Sequence, residues 1–257
     1  LMVDLRLGDC REVLRTLADE SIDLTVTSPP YDNLRTYNGY TFDFEGIARE
    51  LYRVTKPGGV VVWVVGDATV KGSETGTSFR QALFFRDMCG FNLHDTMIYD
   101  KGGAGGAKGS NSAYWNGFEY MFVLSKGAPK AFNPLQDRPN PSAGRTVTTT
   151  RRNTDGSTSN PRTVTVAEYG RRFNIWTIKD GKRQHEHPAT FPESLARDHI
   201  LSWSNPGDTV LDPFLGSGTT GKMVVQHGRK FVGIEISPEY LAIATNRIAG
   251  AQSLEAA

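Results

Sequence analysis

Two short stretches of the chain combine residue types that can do chemistry. The first reads Asp212-Pro213-Phe214-Leu215-Gly216-Ser217-Gly218-Thr219-Thr220. The pattern predicts a strand over Thr209–Leu211 and a helix over Ser217–His227. Its glycines therefore sit at a strand-to-helix turn, where the backbone can approach a ligand and helix amides lack partners. Nineteen residues after Gly216, at the end of the next predicted strand, stands Glu235. A carboxylate there can accept both hydroxyls of a ribose. The plainer reading is a Gly-rich helix start beside a surface glutamate; the spacing favours an adenosine-type cofactor.

The glycine pattern narrows the cofactor. Gly221 falls three residues after Gly218, inside the helix, so the dinucleotide fingerprint lacks its third glycine. No phosphate-binding P-loop is present, because Lys182 precedes Arg183 and Lys222 precedes Met223. The run Gly102–Gly109 fails the same test at Lys108 and reads as a loop. A cofactor without a pyrophosphate, such as S-adenosyl-L-methionine, fits.

The second stretch is Thr27-Ser28-Pro29-Pro30-Tyr31, after a predicted strand over Ile22–Thr27. Paired prolines remove two amide donors and leave carbonyl oxygens as acceptors. The Ser28 hydroxyl adds an acceptor and Tyr31 a flat face. Acceptors that grip both N–H bonds of a planar amine, beside a stacking ring, would aim its lone pair at a methyl donor. In isolation Pro-Pro would be a rigid turn; beside the cofactor motif the catalytic reading is preferred.

Alternating strands and helices must position these stretches. Predicted strands lie at Val3–Leu7, Ile22–Thr27, Val60–Val65, Thr96–Tyr99, Glu119–Leu124, Thr209–Leu211 and Lys230–Ile234. Predicted helices lie at Arg11–Leu17, 44–54, Phe79–Cys89, Glu193–Trp203, Ser217–His227 and Pro238–Ile248. Lys56-Pro57-Gly58-Gly59 is expected to stop the second helix. This alternation predicts an α/β fold with a doubly wound, mostly parallel sheet. Residues 126–175 break the pattern, being rich in Pro, Asn, Thr, Ser and Arg. There Arg-Thr-Val-Thr occurs at 145–148 and again at 162–165, with Asp155-Gly156 midway. A two-residue turn at that dipeptide would pair Val147 with Val164 and Thr148 with Thr163, with Pro161 interrupting the ladder.

The composition bounds the class. The chain has 257 residues, 38% hydrophobic and 22% charged, enough for a large core without disulfides or structural metal. No apolar run is long enough for a membrane span, no signal-peptide layout opens the chain, and a cytoplasmic location is expected. Cys10 and Cys89 form no CxxC pair, and the five histidines, His185 and His187 among them, are scattered, so no metal site is expected. The formal net charge of +1 hides a division. Residues 101–186 hold 14 Lys and Arg against 6 Asp and Glu, whereas the remainder holds 15 against 22. An acidic body carries one basic insert, and such an insert is an electrostatic footprint for nucleic acid.

Ser-Pro-Pro-Tyr together with Asp-Pro-Phe-x-Gly-x-Gly-Thr-Thr resembles the amino-group DNA methyltransferases, which modify N4 of cytosine or N6 of adenine. The resemblance extends to Leu51–Gly59, Glu119–Lys126 and the His187–Glu193 segment, with the catalytic motif before the cofactor motif as in the β-type order. It implies a circularly permuted Rossmann-like S-adenosylmethionine-dependent fold. The domain would comprise a catalytic half over 1–125, a target-recognition insert over 126–186, a cofactor half over 187–250 and a tail over 251–257. It also implies that Ser28, Pro29, Pro30 and Tyr31 are catalytic. Asp212, Pro213, Phe214, Gly216, Ser217, Gly218, Thr219 and Glu235 would hold the cofactor, with Asp9 and Cys10 near its adenine and Thr190 near its methionine end.

By the same resemblance, methyl transfer is direct and the target base is flipped out of double-stranded DNA. Transfer at cytosine C5 would need a thiolate after a proline, and Cys10 follows Asp9 while Cys89 follows Met88. Arg145, Arg151, Arg152, Arg162, Arg171 and Arg172 are the candidate DNA contacts. Ser in the first motif position, with Leu34-Arg35-x-Tyr37 after it, is similar to the N4-cytosine members. N6-adenine is the alternative, and a protein-glutamine methyltransferase a more distant one. A cognate restriction endonuclease is a possible further partner; monomer and homodimer both fit.

Overall fold

In the computed structural model, residues 2–30, 42–103, 112–179 and 192–255 are described. Eight strands form the main sheet: β1 (Val3–Leu7), β2 (Ile22–Thr27), β3 (Thr55–Val65), β4 (Asn92–Asp100), β5 (Phe118–Ser125), β6 (Ile175–Thr177), β7 (Thr209–Asp212) and β8 (Lys230–Glu235). Their order is β1-β8-β7-β2-β3-β5-β4-β6. β1, β8, β7, β2 and β3 run parallel, β5 is antiparallel to both its neighbours, and β6 is parallel to β4. The expected α/β class and mostly parallel sheet are observed.

Helices α1 (Cys10–Leu14), α2 (Phe44–Val54), α3 (Thr77–Phe84), α4 (Glu193–Trp203), α5 (Thr219–Gln226) and α6 (Pro238–Glu255) connect the strands. α2 forms because Ile47, Ala48, Leu51 and Val54 recur at helical spacing and all are buried. The Asp43 side chain caps it by accepting from the Gly46 amide at 3.1 Å. β3 is fully buried from Val60 through Val65, as a strand covered on both faces requires. Trp63, Phe85 and Phe91 anchor the core on the α2 side, with Phe44 edge-on to Trp63 and Phe85.

Several boundaries differ from expectation. α1 ends at Leu14 rather than Leu17. Lys56-Pro57-Gly58-Gly59 does not follow α2 as a loop but opens β3. The ladder to β2 is irregular there, with Gly58 at φ +79° and Gly59 so close to the Asp23 carbonyl that a Cβ would lie 3.0 Å from its oxygen. The third helix starts at Thr77 and changes to π-helical turns over Phe85–Cys89, ended by Gly90 at φ +96°. α6 continues to Glu255 and buries Ala251, so residues 251–255 are helix and not a tail. No helix among the described residues is long and apolar enough to cross a membrane.

The chain divides into two compact units, 1–133 with 174–257, and Pro134–Phe173. The second is narrower than the 126–186 stretch, because β6 joins the main sheet at β4 and the Asn133 side chain bonds the Leu201 and Ser204 carbonyls. Within the second unit, Thr146–Thr149 and Arg162–Thr165 form an antiparallel ribbon. Val147 pairs with Val164 and Thr148 with Thr163, the expected register. Beyond Thr149 the ladder slips by one residue at Asn160-Pro161, so that Arg152 faces Thr158. The turn holds three residues, Thr154, Asp155 and Gly156, rather than two, with Asn153 and Ser157 bonded across it at 2.8 Å. Gly156 at φ +86° supplies the left-handed residue such a loop needs.

Candidate active site at the carboxyl edge of the sheet

Crossovers diverge between β7 and β2. The chain leaves β7 through α5 toward β8 on one side, and leaves β2 through α2 toward β3 on the other. Such a reversal opens a crevice at the carboxyl ends of the two strands, where ligands bind in open α/β sheets. Both stretches singled out in the sequence lie there: Ser28-Pro29-Pro30 directly follows β2, and Asp212 ends β7.

One buried bond joins them. The Thr27 hydroxyl donates to Asp212 Oδ1 at 2.7 Å, and the Phe214 amide donates to the same oxygen at 3.1 Å. Burial pushes the Asp212 carboxyl up to about 6, although the Thr27 and Thr220 hydroxyls oppose that shift. Thr27 carries this contact without having been marked by its own sequence signal. Ser28 and Pro30 are half-buried and Pro29 is buried.

The glycine turn is built by close approach. Gly216 adopts φ +53° and Gly218 φ +84°, so α5 begins at Thr219 rather than Ser217. A Cβ at Gly218 would lie 2.9 Å from both Cα and Cβ of Ala244 on α6. Glu235 latches the turn: its Oε2 accepts from the Gly216 amide at 2.7 Å and its Oε1 from the Ser237 amide at 2.9 Å. Each carboxylate oxygen retains a second lone pair for a hydroxyl donor. The Gly8 amide donates to the Glu235 carbonyl at 2.9 Å, which sets Asp9 beside this strand end. Asp9 caps α1 by accepting from the Arg11 amide at 2.9 Å. Burial pushes the Cys10 thiol up to about 12, and the Cys89 thiol also upward, so neither is a ready thiolate at neutral pH.

Sequence reading missed the brace behind this turn. Arg247 of α6 donates to the Ser217 carbonyl and hydroxyl, each at 2.8 Å, and to Glu193 at 2.9 Å. Lys222 of α5 closes the network on Glu193 at 2.8 Å. Only the i, i+3 and i+4 neighbours of a helix are legible locally, and these partners come from three helices. Phe214 packs edge-on to Phe42 and Trp63. Pro213, Ser217 and Thr219 are buried. Tyr31, Thr190, Leu34, Arg35, Tyr37, His185 and His187 lie outside the described residues.

In the second unit, Arg145, Arg151, Arg152, Arg162 and Arg171 are exposed. Arg172 differs: its guanidinium forks onto Asp137, with Nε 3.0 Å from Oδ1, and holds that carboxyl below the usual range. It braces its own unit.

An open α/β sheet of this order, with a glycine turn after β7 and an acidic residue ending β8, defines an S-adenosylmethionine-dependent methyltransferase with permuted motif order. The chain belongs to the N6/N4 DNA methylase family, whose model matches residues 22–246. It is 54% identical over 242 residues to the orphan methyltransferase M.BamHII of Bacillus amyloliquefaciens, covering 90% of each chain. The structure is similar to TTHA0409, a DNA modification methylase of Thermus thermophilus solved with S-adenosyl-L-methionine. That similarity has a TM-score of 0.64 and 26% identity, covering 98% of this chain and 96% of the other. The cytosine-N4-specific PvuII DNA methyltransferase shares the fold, with TM-score 0.70 at 20% identity over 98% and 92% of the two chains. The protein is thus a DNA amino-methyltransferase that uses S-adenosyl-L-methionine.

Proposed function

We propose that the chain methylates the exocyclic N4 amine of cytosine in a base flipped out of double-stranded DNA. The observation that carries the reading is the Thr27–Asp212 bond, which ties the strand bearing Ser28 to the strand bearing the glycine turn. The residues fit the cofactor: Glu235 keeps lone pairs for a ribose diol, and the turn at Gly216 and Gly218 leaves backbone room beside it. Asp9, Cys10, Asp212, Pro213, Phe214, Ser217 and Thr219 would complete the binding surface with Thr190. When bound, S-adenosyl-L-methionine supplies an electrophilic methyl group.

The chain's own residues bind and orient the amine. The Ser28 hydroxyl and the carbonyls of the Ser28-Pro29-Pro30 segment accept its two N–H bonds, while Tyr31 stacks on the ring. Held this way, the nitrogen lone pair is drawn out of conjugation and forms the new N–CH3 bond, and one N–H proton leaves to solvent. Both thiols are held protonated by burial, which supports direct transfer over a covalent adduct. Ser28 in the first motif position favours cytosine over adenine. The unit Pro134–Phe173 would serve as the target-recognition region, its exposed arginines meeting phosphates and base edges.

The deciding experiment incubates the protein with unmethylated DNA and labelled cofactor, digests the DNA to nucleosides and identifies the product by mass spectrometry. N4-methylcytosine is expected. N6-methyladenine would overturn the base assignment, and label in protein but not DNA would overturn the substrate.

A further inference from the structure

The repeated Arg-Thr-Val-Thr segments form a surface that the methyl-transfer site does not use. Side chains alternate across a strand, and directly opposed residues of an antiparallel pair share a face. Thr146 pairs with Thr165 and Thr148 with Thr163, so four threonines occupy one face of the ribbon. All four are exposed. Val147 and Val164 share the opposite face and are half-buried. Thr148 and Thr163 join their hydroxyls at 3.1 Å, which fixes both rotamers and leaves acceptor lone pairs facing outward. β-Branching restricts the remaining two in the same way.

Charge brackets this neutral face. The unit Pro134–Phe173 holds seven arginines, no lysine and three acidic residues. Two arginines are committed within it, Arg172 to Asp137 and Arg138 over the Phe173 ring at 4.6 Å. Exposed Arg145 precedes the ribbon at one end, and exposed Arg151 and Arg152 follow it at the other. The nearby acid, Asp155, is engaged by the Ser157 amide and hydroxyl at 2.9 and 2.6 Å. Residues 146 to 151 span about 17 Å at ~3.3 Å per residue. A two-stranded ribbon is of a width the DNA major groove admits, and threonine offers base edges a hydroxyl and a methyl.

We infer that Thr146, Thr148, Thr163 and Thr165 form the face that reads base edges in the major groove, with the flanking arginines on phosphates. This rests on the DNA-methylating function proposed above and adds the residues that choose the sequence.

The test uses the full chain. Wild-type protein modifies unmethylated genomic DNA, and sequencing of the modified bases gives the recognised site. The Thr148→Val/Thr163→Val variant keeps shape and strand preference but removes the paired hydroxyls. Its preference for that site over sites differing by one base pair is expected to fall about tenfold. The salt dependence of its DNA binding stays that of wild type, since no phosphate contact is lost. Thr149→Val, on the opposite face, leaves discrimination intact. Unchanged discrimination in the double variant overturns the assignment.

A second measurement is independent of whether the variant folds. Wild-type protein on its site is expected to shield guanine N7, a major-groove atom, from dimethyl sulfate. A methylated site whose guanines stay fully reactive overturns the ribbon assignment alone. DNA left unmodified by the wild type overturns instead the parent function.

Discussion

Thr27 donates its hydroxyl to Asp212 across 2.7 Å in the buried middle of the sheet, joining residues 185 positions apart. The bond crosses the seam where the crossovers diverge, so the two halves of the proposed active site share one hydrogen-bonded hinge. Thr27→Val keeps the shape and removes the donor. A hydrogen bond to a charged group contributes about 1.5–3 kcal/mol. Chemical denaturation at neutral pH should show a loss of that order; a wild-type midpoint would mean that the bond carries no stability.

Asp212 should make stability fall with rising pH. Its carboxyl titrates at about 6 when folded, against 3.8 as an ordinary aspartate. Between those values the folded chain holds a proton that the unfolded chain has lost. Stability from this group is therefore full below the lower value and declines until the higher one is passed. The span corresponds to about 3 kcal/mol. Asp212→Asn removes the titration, so its urea midpoint should gain on wild type from pH 4 to pH 7. A difference that is constant across that range would contradict the buried, proton-holding carboxyl.

Glycines at 218 and 221 are needed for packing, not only for ligand access. A Cβ at Gly221 would lie 2.5 Å from Ile248 Cδ1 and from Phe231 Cε1. Overpacking of this kind costs about 1–3 kcal/mol. Gly218→Ala adds strain at φ +84° to its approach to Ala244. Both variants should lower the thermal midpoint, and calorimetry giving wild-type values would show that α6 yields freely.

Arg247 should tune cofactor affinity without touching DNA. Arg247→Gln frees the Ser217 carbonyl and hydroxyl while Lys222 still holds Glu193. The dissociation constant for S-adenosyl-L-methionine is expected to rise about tenfold, equivalent to ~1.4 kcal/mol. Titration calorimetry with cofactor, beside a DNA-binding assay, separates this from general damage. Equal weakening of both ligands would argue for a purely structural arginine.

Ser28→Ala and Tyr31→Ala should depress methyl transfer by about tenfold or more while cofactor binding stays near wild type. Single-turnover rates measured at saturating cofactor decide the matter. Wild-type rates in both would remove the Ser-Pro-Pro-Tyr segment from the active site.

Local patterns are legible where the physics is local. The span of α4 follows from its apolar spacing, and the ribbon register follows from a repeated tetrad about a turn dipeptide. The ribbon's tip is not, because its three-residue loop and the slip at Pro161 compensate one another and leave the outer register intact. β6 is three residues long in a polar neighbourhood and owes its existence to pairing with β4. The Thr27 and Arg247 contacts depend on partners brought together only by the sheet order, for which adjacent residues carry no trace. In the glycine turn the residue types are evident, yet Glu235 also latches the turn itself, a structural duty its spacing does not disclose.

The pairing of β1 with β8 has a consequence for how the protein comes into being. Val3 lies beside Phe231 and Leu7 beside Glu235. A nascent chain cannot complete this ladder until β8 has been synthesised, so β1 waits while every other strand of the sheet is made. Contacts of such sequence separation slow folding. Because Asp212 and Glu235 arrive with the late strands, a ribosome-bound fragment that already carries Ser28 holds no assembled methyl-donor site, and activity begins only once β8 has emerged.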